Sequence, residues 1–133
     1  MRLGVEGMPV RKPPRRAGGQ RLGKAGEDHA VEYLRGKHCV ILHRNWRCPR
    51  GELDIVATDG IRLIVAEVKT RSGTGFGAPA EAVPPAKAER IRELTRAWLA
   101  EYPLPLREIR FDVLAVLWPP GRPPEVEHIE GAF

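Results

Sequence analysis

Two runs in this chain, Gly51-Glu52-Leu53-Asp54-Ile55-Val56 and Val65-Ala66-Glu67-Val68-Lys69-Thr70-Arg71, are built on Val, Ile and Leu yet carry acids and a lysine in their interiors. Branched apolar residues favour strands, and a strand holding charge inside it needs a compensating partner. Between the runs lies Thr58-Asp59-Gly60-Ile61-Arg62, whose Asp-Gly pair predicts a hairpin, so the strands pair antiparallel. At a period of two, Leu63, Val65, Glu67 and Lys69 share one face, while Ile64, Ala66 and Val68 share the other. Either a two- or a four-residue loop then brings Asp54 to the face of Glu67. A four-residue loop sets the two directly opposite with Cβ atoms roughly 5 Å apart, and a two-residue loop makes them diagonal neighbours at roughly 7 Å.

Carboxylates this close repel each other unless a proton or a cation lies between them. Oxygen-only ligands suit Mg²⁺ or Mn²⁺, which also keep several waters. Lys69 on the same face could orient a water or hold a phosphate oxygen as a point charge. That combination is what phosphodiester hydrolysis requires. A salt-bridged polar face of a half-exposed hairpin would produce the same charge pattern, and the pattern alone leaves both readings open.

Leu22, Ala25, Gly26, His29, Ala30, Tyr33 and Leu34 recur at helical spacing, and Gly36 ends the segment. Glu27 lies at the edge of that stripe, where it can reach over the sheet toward Asp54 and Glu67 as a ligand or a water contact. The order helix, Asp strand, Glu-x-Lys strand, helix, strand resembles the PD-(D/E)xK nuclease superfamily. Asn45-Trp46-Arg47-Cys48-Pro49-Arg50-Gly51-Glu52-Leu53-Asp54, Glu67-Val68-Lys69-Thr70-Arg71, Phe76-Gly77 and Arg110-Phe111-Asp112-Val113 further resemble the YraN-like family of small bacterial proteins, similar to archaeal Holliday junction resolvases. The likeness runs from about Gly19 to about Leu117. It implies that Asp54 and Glu67 are the metal-binding acids, Lys69 the catalytic lysine, and Glu27 the acid carried on the first helix. Leu53-Asp54 stands where the superfamily has Pro-Asp.

The fold implied is α/β, a restriction-endonuclease-like core of one helix, three strands, a helix and a strand, with a central mixed four-stranded sheet flanked by helices. Pro84-Pro85 opens a helix that runs to about Ala100, packed through Ile91, Leu94, Thr95, Trp98 and Leu99. Glu108 to Leu117 alternates between two largely apolar sets, which predicts a strand covered on both faces and joined to the hairpin by a parallel crossover. Pro119-Pro120-Gly121-Arg122-Pro123-Pro124 breaks regular structure, and Val126 to Ile129 has room for a short edge strand.

With 133 residues, 42% of them apolar and 29% charged, one soluble domain is expected. Its bounds are a basic N-terminal arm over 1–18, a nuclease-like domain over 19–118 and a Pro-rich tail over 119–133. The net charge of +5 is uneven. Arg2, Arg11, Lys12, Arg15 and Arg16 against Glu6 give the first twenty residues 5 − 1 = +4, which suits salt-sensitive contact with phosphates or a solubilising tail. No apolar run approaches the roughly 20 residues that span a bilayer. The N-terminal residues show no apolar signal core, so the cytoplasm is the expected compartment and Cys39 and Cys48 are expected to be reduced.

Backbone contacts to a nucleic acid are assigned to Arg47, Arg71, Lys87 and Arg90. Gly73, Gly75 and Gly77 around Phe76 suggest a substrate-side flap or a plain connection. Trp46, Trp98 and Trp118 read as core, although Trp46 beside three arginines could stack on a base. His38, Cys39, His43 and Cys48 match no common zinc spacing. A single Asn, a single Gln, a single Ser and 13 prolines point toward heat adaptation, or toward a GC-rich genome.

These residues predict a Mg²⁺- or Mn²⁺-dependent endonuclease acting on DNA, by analogy on branched or structured DNA. Cutting a symmetric junction requires two sites, and with them a homodimer. The competing reading is a nucleic-acid-binding or assembly module that keeps the scaffold without catalysis. A surface ion-pair network on a purely structural protein is a third.

Overall fold

The computed structural model describes residues 18–72, 83–106 and 108–133, with the side chains of 18–21 left aside. The basic arm over most of 1–18 and the glycine-rich segment around Phe76 lie outside the described residues. Helix α1 spans Gly18–Gly36, strand β1 Val40–Cys48, β2 Gly51–Thr58, β3 Arg62–Arg71, helix α2 Pro85–Glu101, β4 Glu108–Leu117 and β5 Glu125–Ile129. The strands form one sheet in chain order, β1-β2-β3-β4-β5. Every adjacent pair is antiparallel except β3 and β4, which are parallel. Helix α2 lies in the connection between those two.

The fold is therefore α/β with a mixed sheet of five strands, not the four expected. The additional strand follows the Pro-rich break, where Val126 pairs Val116 and Ile129 pairs Val113 along β4. A short segment with so few apolar residues gains its order from that docking rather than from its own propensity.

Both faces of the sheet are buried, each under one helix. Ala30, Val31 and Leu34 of α1 pack on Ile41, Ile55, Ala57, Ile64, Ala66, Leu114 and Val116. Ile91, Leu94 and Trp98 of α2 pack on Leu42, Trp46, Leu53, Val56, Leu63 and Val65. Strand β3 alternates between the two clusters as a period of two requires. Val113 to Val116 of β4 are fully buried because strands flank β4 and helices cover the sheet. Trp46 and Trp98 are core, whereas Trp118 is half-buried at the margin of the α1-side cluster. Among the described residues no helix is long and apolar enough to cross a membrane.

Three residues, Asp59 to Ile61, separate β2 from β3, and the pairing of the two strands closes over four, at Thr58↔Leu63. Asp59 Oδ1 accepts the backbone N–H groups of Ile61 and Arg62, each at 2.9 Å, and Gly60 takes a positive φ of 95°. An Asx turn of this kind closes the loop and sets the register of the strands it joins.

Candidate active site

Ladder pairing between β2 and β3 runs from Thr58↔Leu63 to Ile55↔Ala66 and stops there. One more rung would set Asp54 opposite Glu67. Instead the Asp54 Oδ2 accepts the Val68 backbone N–H at 2.9 Å, so a side chain takes the place of a ladder acceptor and the strands fork.

The fork has a local cause. Asn45 of β1 sits at a left-handed φ of 52°, a conformation that asparagine tolerates better than most residues. The β1–β2 register passes from Arg44↔Ile55 to Trp46↔Leu53 with no 45↔54 pair recorded between them. Ile55 packs under α1 whereas Leu53 and Trp46 pack under α2, so side-chain alternation switches face across Asn45 and Asp54. Strict alternation had set Asp54 on the face of Glu67. Counted from Val56 it does fall there, but counted from Leu53 it falls on the α1 face. Asp54 is the point where the alternation of β2 reverses, while β3 alternates unbroken beside it.

Asp54 meets Glu67 at this point. Burial is the largest influence on the Asp54 carboxyl, followed by the Glu67 charge, with Glu27 adding less. Together they overcome the Val68 hydrogen bond and push its pKa from 3.8 up to about 7. Glu67 is ion-paired with the Lys87 ammonium of α2, and that bond holds the lysine above its ordinary pKa. Glu27, 9% exposed, accepts from Arg44 Nη2 at 3.0 Å and from Asn45 Nδ2 at 2.8 Å. Arg44 also bridges to Asp28 at 2.5 Å.

Helix α1 reaches the sheet here because Gly26 lies against Thr70 of β3. A Cβ on the glycine would stand 2.1 Å from the Thr70 Oγ1. That close approach carries Glu27 into a cleft of about 730 Å³ lined also by Lys24, Asn45, Arg47, Glu52, Asp54, Glu67, Val68, Thr70 and Lys87. A second cleft of about 440 Å³ shares Glu52, Glu67 and Lys87 with the first and continues along α2 to Arg90.

Of the residues assigned from sequence, Glu27, Asp54, Glu67, Arg47 and Lys87 thus meet in one cleft, with Arg90 lining the next. Lys69 follows Glu67 by two residues on β3 and is half-buried. Arg71 is exposed at the end of the strand. Among the described residues no three His, Cys, Asp or Glu side chains converge tightly enough to hold a metal. The donor set is two carboxylates from adjoining strands in a water-accessible cleft, which suits a hard divalent ion that keeps most of its waters rather than a closed zinc site.

Sequence reasoning did not foresee Arg44 or Asn45 as supports of Glu27. The one usable signal was the chain's only asparagine, placed inside a strand. Nor did it foresee a second polar centre. Asp112, fully buried in β4, accepts two bonds from Arg110 at 2.9 Å, one from His128 Nε2 at 2.7 Å and one from the Gly131 N–H at 3.0 Å. Because the carboxylate only accepts, His128 carries its proton on Nε2, and its Nδ1 faces the Tyr33 hydroxyl at 3.2 Å. This centre ties β5 and the C-terminus to β4 and to α1.

The profile of a family described as Uncharacterised protein family UPF0102 matches residues 26–116. A UPF0102 protein of Frankia alni is 54% identical over 112 residues, covering 84% of this chain and 93% of the relative. Another from Nocardia farcinica is 49% identical over 114 residues, covering 86% and 90%. A third from Geotalea daltonii is 48% identical over 112 residues, covering 84% and 88%.

Proposed function

From a chain that belongs to the UPF0102 family and joins two carboxyls at a forked sheet, we propose a divalent-metal-dependent endonuclease that hydrolyses DNA phosphodiester bonds, on branched or structured DNA. The observation that carries this reading is the meeting of Asp54 and Glu67 in a cleft walled by Lys24, Arg47 and Lys87. A carboxyl pair that cannot comfortably ionise together is a site waiting for a cation. The motif order shared with the PD-(D/E)xK superfamily points the same way.

Asp54 and Glu67 would hold Mg²⁺ or Mn²⁺, and Glu27 would contact its waters. The bound ion would supply a more acidic water and neutralise charge on the scissile phosphate. Lys69 would orient the attacking water. Arg47, Lys87, Arg90 and, further out, Arg71 would hold the flanking phosphates as point charges and forks. On a symmetric junction the work would fall to a homodimer, which light scattering with and without DNA would reveal.

One observation favours a second reading. Glu27 and Glu67 already have basic partners, and among the described residues no group of three acids converges as a metal site. A catalytically silent nucleic-acid-binding module would look like this. The two readings separate when wild type and Asp54→Ala are incubated with Mn²⁺ and a panel of duplex, single-stranded, flap and four-way DNA. Cleavage by the wild type alone supports the nuclease. Salt-sensitive binding that survives Asp54→Ala, without cleavage by either, supports the module.

A further inference from the structure

Lys87 and Glu67 stand between the two clefts, since both residues line both spaces. We propose that Lys87 is a displaceable internal cation. It holds the charge position at Glu67 until a divalent ion reaches the Asp54–Glu67 pair, and it is then released to a phosphate of the bound strand. This rests on the metal-site reading given above and adds to it an ordered exchange of cations.

The two partners are unequally held. The Glu67 side chain is 13% exposed and fixed on a central strand, whereas that of Lys87 is 50% exposed. Lys87 sits in the first turn of α2, anchored by the Ala88 N–H to Pro84 O bond of 2.9 Å. Its backbone is therefore fixed while its four-carbon stem can swing. An ammonium carries one positive charge against two acids, and a divalent ion carries two.

Exchange at this point balances the pair and opens the partition. Lys87 swung outward comes to lie one helical turn from Arg90 on the wall of the second cleft. The two would form a strip of positive charge leading away from the acids. Metal binding then strengthens phosphate binding beyond ordinary screening, and by linkage phosphate strengthens metal binding equally.

The test uses the full chain. Mn²⁺ is titrated by calorimetry into wild type, Lys87→Met, Lys87→Arg and Asp54→Ala, and duplex DNA binding is followed by anisotropy with and without Ca²⁺ at fixed ionic strength. Lys87→Met should bind Mn²⁺ on the order of three- to tenfold tighter than wild type, the scale set by one partly exposed ion pair. Lys87→Arg should behave as wild type, and the Ca²⁺-dependent gain in DNA affinity should disappear in Lys87→Met. If wild type binds Mn²⁺, Asp54→Ala does not, and Lys87→Met binds no tighter than wild type, the exchange is overturned while the metal site stands. If neither wild type nor Lys87→Met binds the ion, both fall together.

Discussion

Gly26 and Thr70 are in such close approach that a single added carbon on the glycine would lie 2.1 Å from the threonine hydroxyl oxygen. Helix α1 settles on β3 at this point, and the next residue, Glu27, is thereby delivered to the cleft. Gly26→Ala should destabilise the protein by about 1–3 kcal/mol, because the overlap outweighs alanine's helical preference. Gly23 has nothing within 4 Å of a built Cβ, so Gly23→Ala should stabilise by about 0.5–1 kcal/mol. Thermal melts of the two variants check the opposite signs, and equal effects would mean that the contact does not position the helix.

Asp54→Asn should separate stability from metal binding. The folded carboxyl holds its proton up to about 7 against 3.8 ordinarily, so between those values the folded chain binds a proton that the unfolded chain has lost. Stability contributed by this group therefore falls as pH rises through that window, and the cost is complete above it. Asparagine cannot ionise, yet its side-chain oxygen still accepts the Val68 N–H. Denaturant midpoints at pH 8 should show the variant more stable by about 1–2 kcal/mol, with the gain shrinking toward pH 5. Mn²⁺ binding should be lost in the same variant.

Several parts of this architecture were legible in the chain because local rules and burial agree there. Leu63 and Val65 fall on one face and Ile64 and Ala66 on the other since both faces of β3 are covered, and the stripe from Ile91 to Trp98 packs as its spacing requires. Asp59 and Gly60 closed the hairpin in a way their chemistry dictates. What the chain hid depends on tertiary approach. The left-handed turn at Asn45 reverses an alternation that a strand pattern assumes to be unbroken. Arg44 finds Glu27 across 17 residues, and Lys87 finds Glu67 across two separate elements. Strand β5 exists as a partner of β4, so the ring of donors around Asp112 could not be read before that docking was known.

Asp112 should govern acid stability. Burial alone would raise its pKa, but hydrogen bonds from His128, Arg110 and the Gly131 N–H outweigh that and hold the carboxyl below its ordinary 3.8. A depressed acid contributes stability above the unfolded value and loses it as pH falls through and below that value. Asp112→Asn should cost about 2–4 kcal/mol at pH 7, since Arg110 loses its buried counter-charge and His128 its carboxylate acceptor. It should also flatten the wild-type decline below about pH 4. Urea midpoints from pH 7 to pH 3 test this, and an Asp112→Asn variant that matched wild type at neutral pH would remove the centre from any structural role.

His43 should produce a second, higher acid transition. Its Nδ1 accepts the Trp98 indole N–H at 3.0 Å, and the Tyr102 ring packs on it with centroids 5.0 Å apart. Burial lowers the His43 pKa, with Glu101 opposing weakly. Protonation at Nδ1 would also forfeit the Trp98 bond. A base with a depressed pKa contributes fully above the unfolded value of 6.5, and its contribution is lost as pH falls below it, because the unfolded chain takes the proton first. Stability measured at pH 7.5 and at pH 5.5 should therefore differ in wild type by more than in His43→Phe. The variant would start lower at pH 7.5, by about 1–3 kcal/mol, because the fully buried Trp98 N–H is left without an acceptor. The indole reports the same event directly: Trp98 fluorescence should titrate in wild type before global unfolding, and its absence in His43→Phe would assign that titration to this contact.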